Sequence, residues 1–140
     1  MAEAVWIHVV AAVIYNRRHQ ILLAQRPLDK HQGGKWEFPG GKVEPNESAK
    51  NALQRELLEE LGIEAEPTSM QPLLEIKHAY SDKNIWLDVW TVNQFQYEPI
   101  GREGQTIAWF ELAQLQDLDF PAANLSILQK LNSSSSSLNG

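Results

Sequence analysis

Apolar residues in this chain fall into strand-like runs, broken by one conspicuously helical stretch. Val5 to Tyr15 is apolar almost without interruption, and Gln20 to Arg26 forms a second such run after the polar Asn16-Arg17-Arg18-His19. Two β-rich runs joined by so short a polar connection predict a hairpin. Pro72 to Tyr80 and Ile85 to Phe95 alternate in the strand manner, the second setting Ile85, Leu87 and Val89 against Trp86, Asp88 and Trp90. Ser81-Asp82-Lys83-Asn84 reads as the turn between them. Thr106 to Phe110 is a further short strand. Trp36 to Phe38 is extended, because Pro39 disfavours helical backbone at Phe38.

The helical period appears from Glu47 to Leu61. Asn46 or Ser48 can cap its start, and Gly62 stands where a left-handed residue ends a helix. Pro121 to Leu131 predicts a C-terminal helix with proline in its first turn. Strands and helices interleave without a regular βαβ rhythm, which predicts an α/β fold with a mixed β-sheet sandwiched between helices (α/β/α). Residues 1–132 are expected to form one domain. Ser133 to Gly140, with five consecutive serines, is expected to be a flexible tail.

Composition narrows the possibilities. The chain has 140 residues, no cysteine and a formal net charge of -6. Thiolate chemistry and disulfides are excluded, and a reducing, cytoplasmic setting is expected. The acidic balance opposes binding to nucleic-acid polymers, which needs a basic face. No apolar run is long enough to span a membrane, and the N-terminal run lacks the basic flank and cleavage site of a signal peptide.

The chemistry concentrates in the central helix. At about 100° per residue, Glu56, Glu59 and Glu60 share one sector beside the apolar stripe Ala49, Leu53, Leu57, Leu61. The acids therefore lie at the edge of the buried face. Ala52 leaves room one turn upstream, and Arg55 is placed to pair with Glu59. Crowded carboxylates near the Gly40-Gly41 backbone form a hard oxygen-donor set suited to Mg²⁺ or Mn²⁺. A solvated Glu-rich helix face is the ordinary reading of such a cluster taken alone. The full spacing decides against it: Gly41, five residues, Glu47, seven residues, Arg55-Glu56, an apolar residue, one residue, Glu59-Glu60, one residue, Gly62, an apolar residue.

That spacing matches the Nudix box at every fixed position, and the chain resembles Nudix hydrolases. The flanks RPLDKHQGGKWEFPGGKVEPNE and EPIGREGQTIAWFELAQLQDLDFPAANLSILQKL are similar to those of the MutT-type 8-oxo-dGTP diphosphatases within that family. The resemblance implies metal ligation by Glu56, Glu59, Glu60, Glu103 and the carbonyl of Gly40, with Glu56 or Glu103 as the base that deprotonates water. It implies substrate contacts from Arg26, His31, Glu37, Phe38, Pro39, Gly40 and Asn124. Asn124 carries both a donor and an acceptor, as does the edge of an oxidised guanine, whose N7 is protonated. Each of these positions also has a plainer role, such as a surface charge for Arg26, an exposed loop residue for His31 or Glu103, and a helix-start residue for Asn124.

The implied reaction is cation-assisted attack of water on the β-phosphorus of a free nucleoside triphosphate, giving the monophosphate and pyrophosphate. A monomer is expected. Lys83 departs from the arginine frequent in such relatives and is left outside the expected site. The alternatives are a Nudix pyrophosphohydrolase for CTP or a damaged pyrimidine nucleotide, a nucleotide-sensing module without catalysis, and a lesion-recognition appendage.

Overall fold

The computed structural model describes residues 5–30 and 33–139 of the chain. Its largest sheet is mixed and four-stranded, in the order β4 (Gly40–Lys42), β1 (Trp6–Ile14), β7 (Asn84–Val92), β6 (Gln71–Ala79). A second, antiparallel sheet has the order β3 (Trp36–Glu37), β2 (Ile21–Gln25), β9 (Thr106–Phe110). The short strands β5 (Glu64–Ala65) and β8 (Phe95–Gln96) pair separately. Helix α1 spans Ala49–Leu61 and helix α2 spans Ala122–Asn139.

β1 organises the domain because both of its faces are buried. Val10, Ala12 and Ile14 pack with Leu53, Leu57 and Leu61 of α1. Ala11 and Val13 pack on the opposite side with Ile127, Leu128 and Leu131 of α2. A strand covered on both faces needs a continuous apolar run rather than alternation, and Val9–Tyr15 supplies one. The helices thus lie on opposite sides of the mixed sheet, as expected. Among the described residues, no helix is long and apolar enough to cross a membrane.

The expected β1–β2 hairpin does not form. The turn itself is well built: Asn16 Oδ1 accepts from the backbone N–H groups of Arg18 and Gln20, and His19 takes a left-handed conformation at φ 62. Yet only the bridge Tyr15–Ile21 joins the two runs before they part into different sheets. β1 instead pairs in parallel with β7 from Trp6–Asn84 to Ile14–Val92. That long pairing, with burial on both faces, outweighs a local hairpin ladder.

Other boundaries shift for local reasons. α1 begins at Ala49 rather than Glu47, because Ser48 is extended and its side chain accepts from Asn51 N–H. Asn46 lies in the left-handed region at φ 66, so it belongs to the preceding turn. The run from Ile85 divides into β7 and β8. α2 continues past Leu131, where the sequence places its end, to Asn139. Its buried anchors Ala123, Ile127, Leu128 and Leu131 lie in the first part, and serine costs an established helix only a few tenths of a kcal/mol per residue, about 0.5.

Gly62 ends α1 in the left-handed region at φ 71, and its N–H donates to Leu58 C=O. We expect Gly62→Ala to lower stability by about 1–2 kcal/mol, the cost of holding a Cβ in that conformation. Denaturant midpoints at equal m-value measure this, and an unchanged midpoint would contradict the assigned cap.

Candidate active site

Close approach of backbone to backbone builds the site. Gly40 of β4 lies against β1 so tightly that a Cβ on it would overlap the carbonyl of Val10, and a Cβ on Gly41 would overlap the Glu56 carboxyl group. Gly40 thus lets β4 close on the β1 backbone, and Gly41 leaves room for the Glu56 carboxyl group where it now lies. Gly40 N–H donates to Glu60 Oε2 at 3.2 Å, fixing that carboxyl at the strand edge.

Arg55 organises the outer side of the cluster. Its Nε and Nη2 donate to the two oxygens of Glu47 at 2.8 and 2.9 Å, and Nη2 also reaches Lys42 C=O at 3.0 Å. Its Nη1 donates to Glu56 at 2.9 Å and, more weakly, to Glu59 at 3.4 Å. The Arg55 guanidinium, with a backbone hydrogen bond from Glu44, holds Glu47 down at about 2. The first glutamate of the spacing pattern is thus a structural partner of Arg55.

The remaining acids have too little compensation. Burial, then the charges of Glu56, Glu103 and Glu37, push Glu60 up to about 8 against the hydrogen bond from Gly40. Burial also raises Glu56, with Glu59 and Glu103 adding to the effect and Arg55 opposing it. Such a cluster of mutually repelling hard oxygen donors fits a divalent cation, which would favour their ionised forms. Among the described residues no three His, Asp or Glu side chains are gathered closely enough to hold a metal ion by themselves. A small cation that takes few carboxylates and completes its shell with water and phosphate oxygens does not need such a group.

Beside the cluster lies a cleft of about 530 Å³. It brings together eight of the residues expected from sequence: Arg26, Glu37, Phe38, Pro39, Gly40, Glu60, Glu103 and Asn124. Glu56 adjoins it behind Gly41, while Glu59 is more exposed on the outer flank under Arg55. His31 lies outside the described residues. Arg26 Nε donates to Glu37 at 2.9 Å across the β2–β3 pair. Phe38 stacks on Phe120, with centroids 5.8 Å apart, to form an apolar wall. Asn124 Oδ1 accepts from Phe38 N–H at 3.4 Å, a long contact that leaves its amide capacity to spare.

Several lining residues were not expected. Lys83 and Lys30 stand at the cleft, as do Tyr80 and Gln105. Ile7, Val9, Ile85 and Leu87 form its floor. These residues fall at odd-numbered positions of β1 and β7, which share a face once those strands are known to pair in parallel. Lys83 was set aside for its departure from arginine, although the turn it occupies does reach the cleft.

The raised Glu60 generates a signed pH effect. Its proton is retained in the folded state up to about 8 but released from about 4.5 in the unfolded chain, so the contribution is fully present below 4.5 and lost as pH rises through 8. In chelator, the unfolding midpoint is expected to fall across that window, and Glu60→Gln to flatten the fall. Parallel pH profiles for the two proteins would contradict it. Glu47 acts outside this window, its contribution being lost only as pH falls from 4.5 through about 2.

Comparison with known proteins agrees with this geometry. The NUDIX domain model matches residues 10–130. The 8-oxo-dGTP diphosphatase of Escherichia coli (strain K12) is 38% identical over 125 residues, covering 89% of this chain and 95% of that protein. The CTP pyrophosphohydrolase of the same organism is 42% identical over 123 residues, covering 88% and 89%. A MutT structure, from a study of the Aliivibrio salmonicida and Vibrio cholerae proteins, superposes with a TM-score of 0.81 at 37% identity and covers 93% of this chain and 99% of its own. With the box intact and the match running through α1 and into α2, the chain belongs to the NUDIX domain family.

Proposed function

We propose that this protein hydrolyses 8-oxo-dGTP to the monophosphate and pyrophosphate, with Mg²⁺ as its cofactor, and so removes an oxidised precursor from the nucleotide pool. The observation that carries this reading is one cleft lined by two chemically distinct sets of side chains. Glu60 and Glu103 contribute carboxylates to its lining, Phe38 an aromatic ring and Asn124 an amide. Several relatives bear the name 8-oxo-dGTP diphosphatase, which supports the same substrate.

The division of labour follows from the side chains. A divalent cation bound by Glu56, Glu59, Glu60, Glu103 and the Gly40 carbonyl would neutralise polyphosphate charge and acidify the attacking water. Glu56 or Glu103 takes the proton of that water. Arg26, oriented by Glu37, presents a guanidinium to the phosphates. Phe38 packs against the base, with Pro39 bordering the same wall. Asn124 reads the base edge, accepting from the N7 proton of the oxidised purine and donating to O6. Normal guanine offers an acceptor at N7, so one group would remain unpaired, a penalty of about 1–3 kcal/mol.

CTP is the second reading, favoured by the relative of that name. The two separate on kcat/KM for 8-oxo-dGTP, dGTP and CTP at low substrate, with and without Mg²⁺. We expect 8-oxo-dGTP to be preferred and the activity to need the cation; preference for CTP would overturn the substrate assignment. Asn124→Ala is expected to reduce discrimination between 8-oxo-dGTP and dGTP by about tenfold or more. Equal loss on both nucleotides would reduce Asn124 to a structural role. Glu56→Gln keeps the size of the side chain and is expected to lower kcat on the order of 10³-fold with the fold intact. Near-normal turnover would contradict the assigned role.

A further inference from the structure

The loop that carries Glu103 is a turn, closed by Gly104 N–H donating to Gly101 C=O at 3.3 Å. Glu103 is exposed, and its neighbour Gly104 is left-handed at φ 81. What holds this loop is the C-terminal end of α1, whose last carbonyls have no partners within the helix. Ile100 N–H donates to Leu61 C=O and Arg102 N–H to Glu60 C=O, both at 3.0 Å, and Arg102 Nη1 reaches Leu58 C=O at 3.2 Å. These bonds act before the loop reaches Glu103.

One side chain acts beyond it. Gln105 Nε2 donates to Glu60 C=O at 3.0 Å, while its Oε1 accepts from Glu103 N–H at 2.8 Å. A single planar amide therefore joins the backbone of one cleft glutamate to the backbone of the other. Gln105 also lines the cleft and is half-buried. At Gly101 a Cβ would overlap the Gln105 carbonyl, so the loop closes tightly on this residue. Only a primary amide of glutamine length offers both a donor and an acceptor at this reach.

We propose that Gln105 is a positioning residue that sets the distance between the Glu103 and Glu60 carboxylates. It clamps the turn Gly101–Gly104 to α1 and thereby assembles the acid cluster before substrate arrives. The inference rests on the role proposed above for Glu103. Without the clamp, Glu103 keeps its chemistry but loses its place, and small misplacement of a catalytic group lowers turnover steeply.

The test uses Gln105→Met, which keeps length and removes both hydrogen bonds, and Gln105→Asn, which keeps the amide but shortens its reach. For both we expect kcat on 8-oxo-dGTP to fall on the order of 10- to 100-fold with KM nearly unchanged. Combined with Glu103→Gln, either change should lower kcat no further, because its effect passes through Glu103. In the metal-free protein, the ¹⁵N heteronuclear NOE of the Glu103 and Gly104 amides should drop while that of α1 holds. A full additional loss in the Glu103→Gln background, or unchanged order at Glu103 in a folded variant, would overturn the proposal. If Glu103→Gln itself keeps normal turnover, the role of Glu103 fails, while the amide measurement still decides whether Gln105 holds the loop.

Discussion

Electrostatic repulsion among acids that the backbone forces together is the constraint on which this structure turns. Gly40 lets β4 close on β1, Gly41 leaves room for the Glu56 carboxyl group, and Gly40 N–H holds the Glu60 carboxyl group at the strand edge. Glu103 arrives from a separate loop, and Glu37 adds its charge from β3. Arg55 compensates the outer acids only: it is committed to Glu47 through two hydrogen bonds and shares one nitrogen between Glu56 and Glu59. A protein that builds such a cluster beside a cleft leaves it to be satisfied by a cation and the anion that cation binds.

The fold serves this arrangement. β1, buried on both faces, anchors α1 on one side and α2 on the other. The sheet thereby sets the acidic end of α1 and the start of α2 at the margin of one cleft. Phosphate chemistry and base recognition can then be supplied by different elements, each held by its own part of the core. Relatives at 38% and 42% identity bear the names 8-oxo-dGTP diphosphatase and CTP pyrophosphohydrolase.

How far the sequence could be read depended on whether each feature was local. The acid sector of α1, its Gly62 cap and the spacing from Gly41 to Ile63 are local, and the structure shows the helix as expected from Ala49 onward. The hairpin between β1 and β2 was misread because its alternative, the parallel pairing with β7, depends on pairing with residues nearly eighty positions away. Ser48 rather than Asn46 as the cap could not be told from residue type, since both side chains can accept. Gln105 carried no sequence signal beyond its place in GREGQ; its two bonds join residues that only the folded loop brings together. Lys83 was excluded on side-chain identity, although its position in the turn brings it to the cleft.

The claim that the acid cluster is a divalent-cation site has one direct test. Mn²⁺ added in substoichiometric amounts to the metal-free, ¹⁵N-labelled protein broadens amide signals near the bound ion. The account predicts selective loss of the signals of Gly40, Glu56, Glu59, Glu60 and Glu103, reversed by excess Mg²⁺. Uniform broadening, or loss centred elsewhere on the chain, would contradict it.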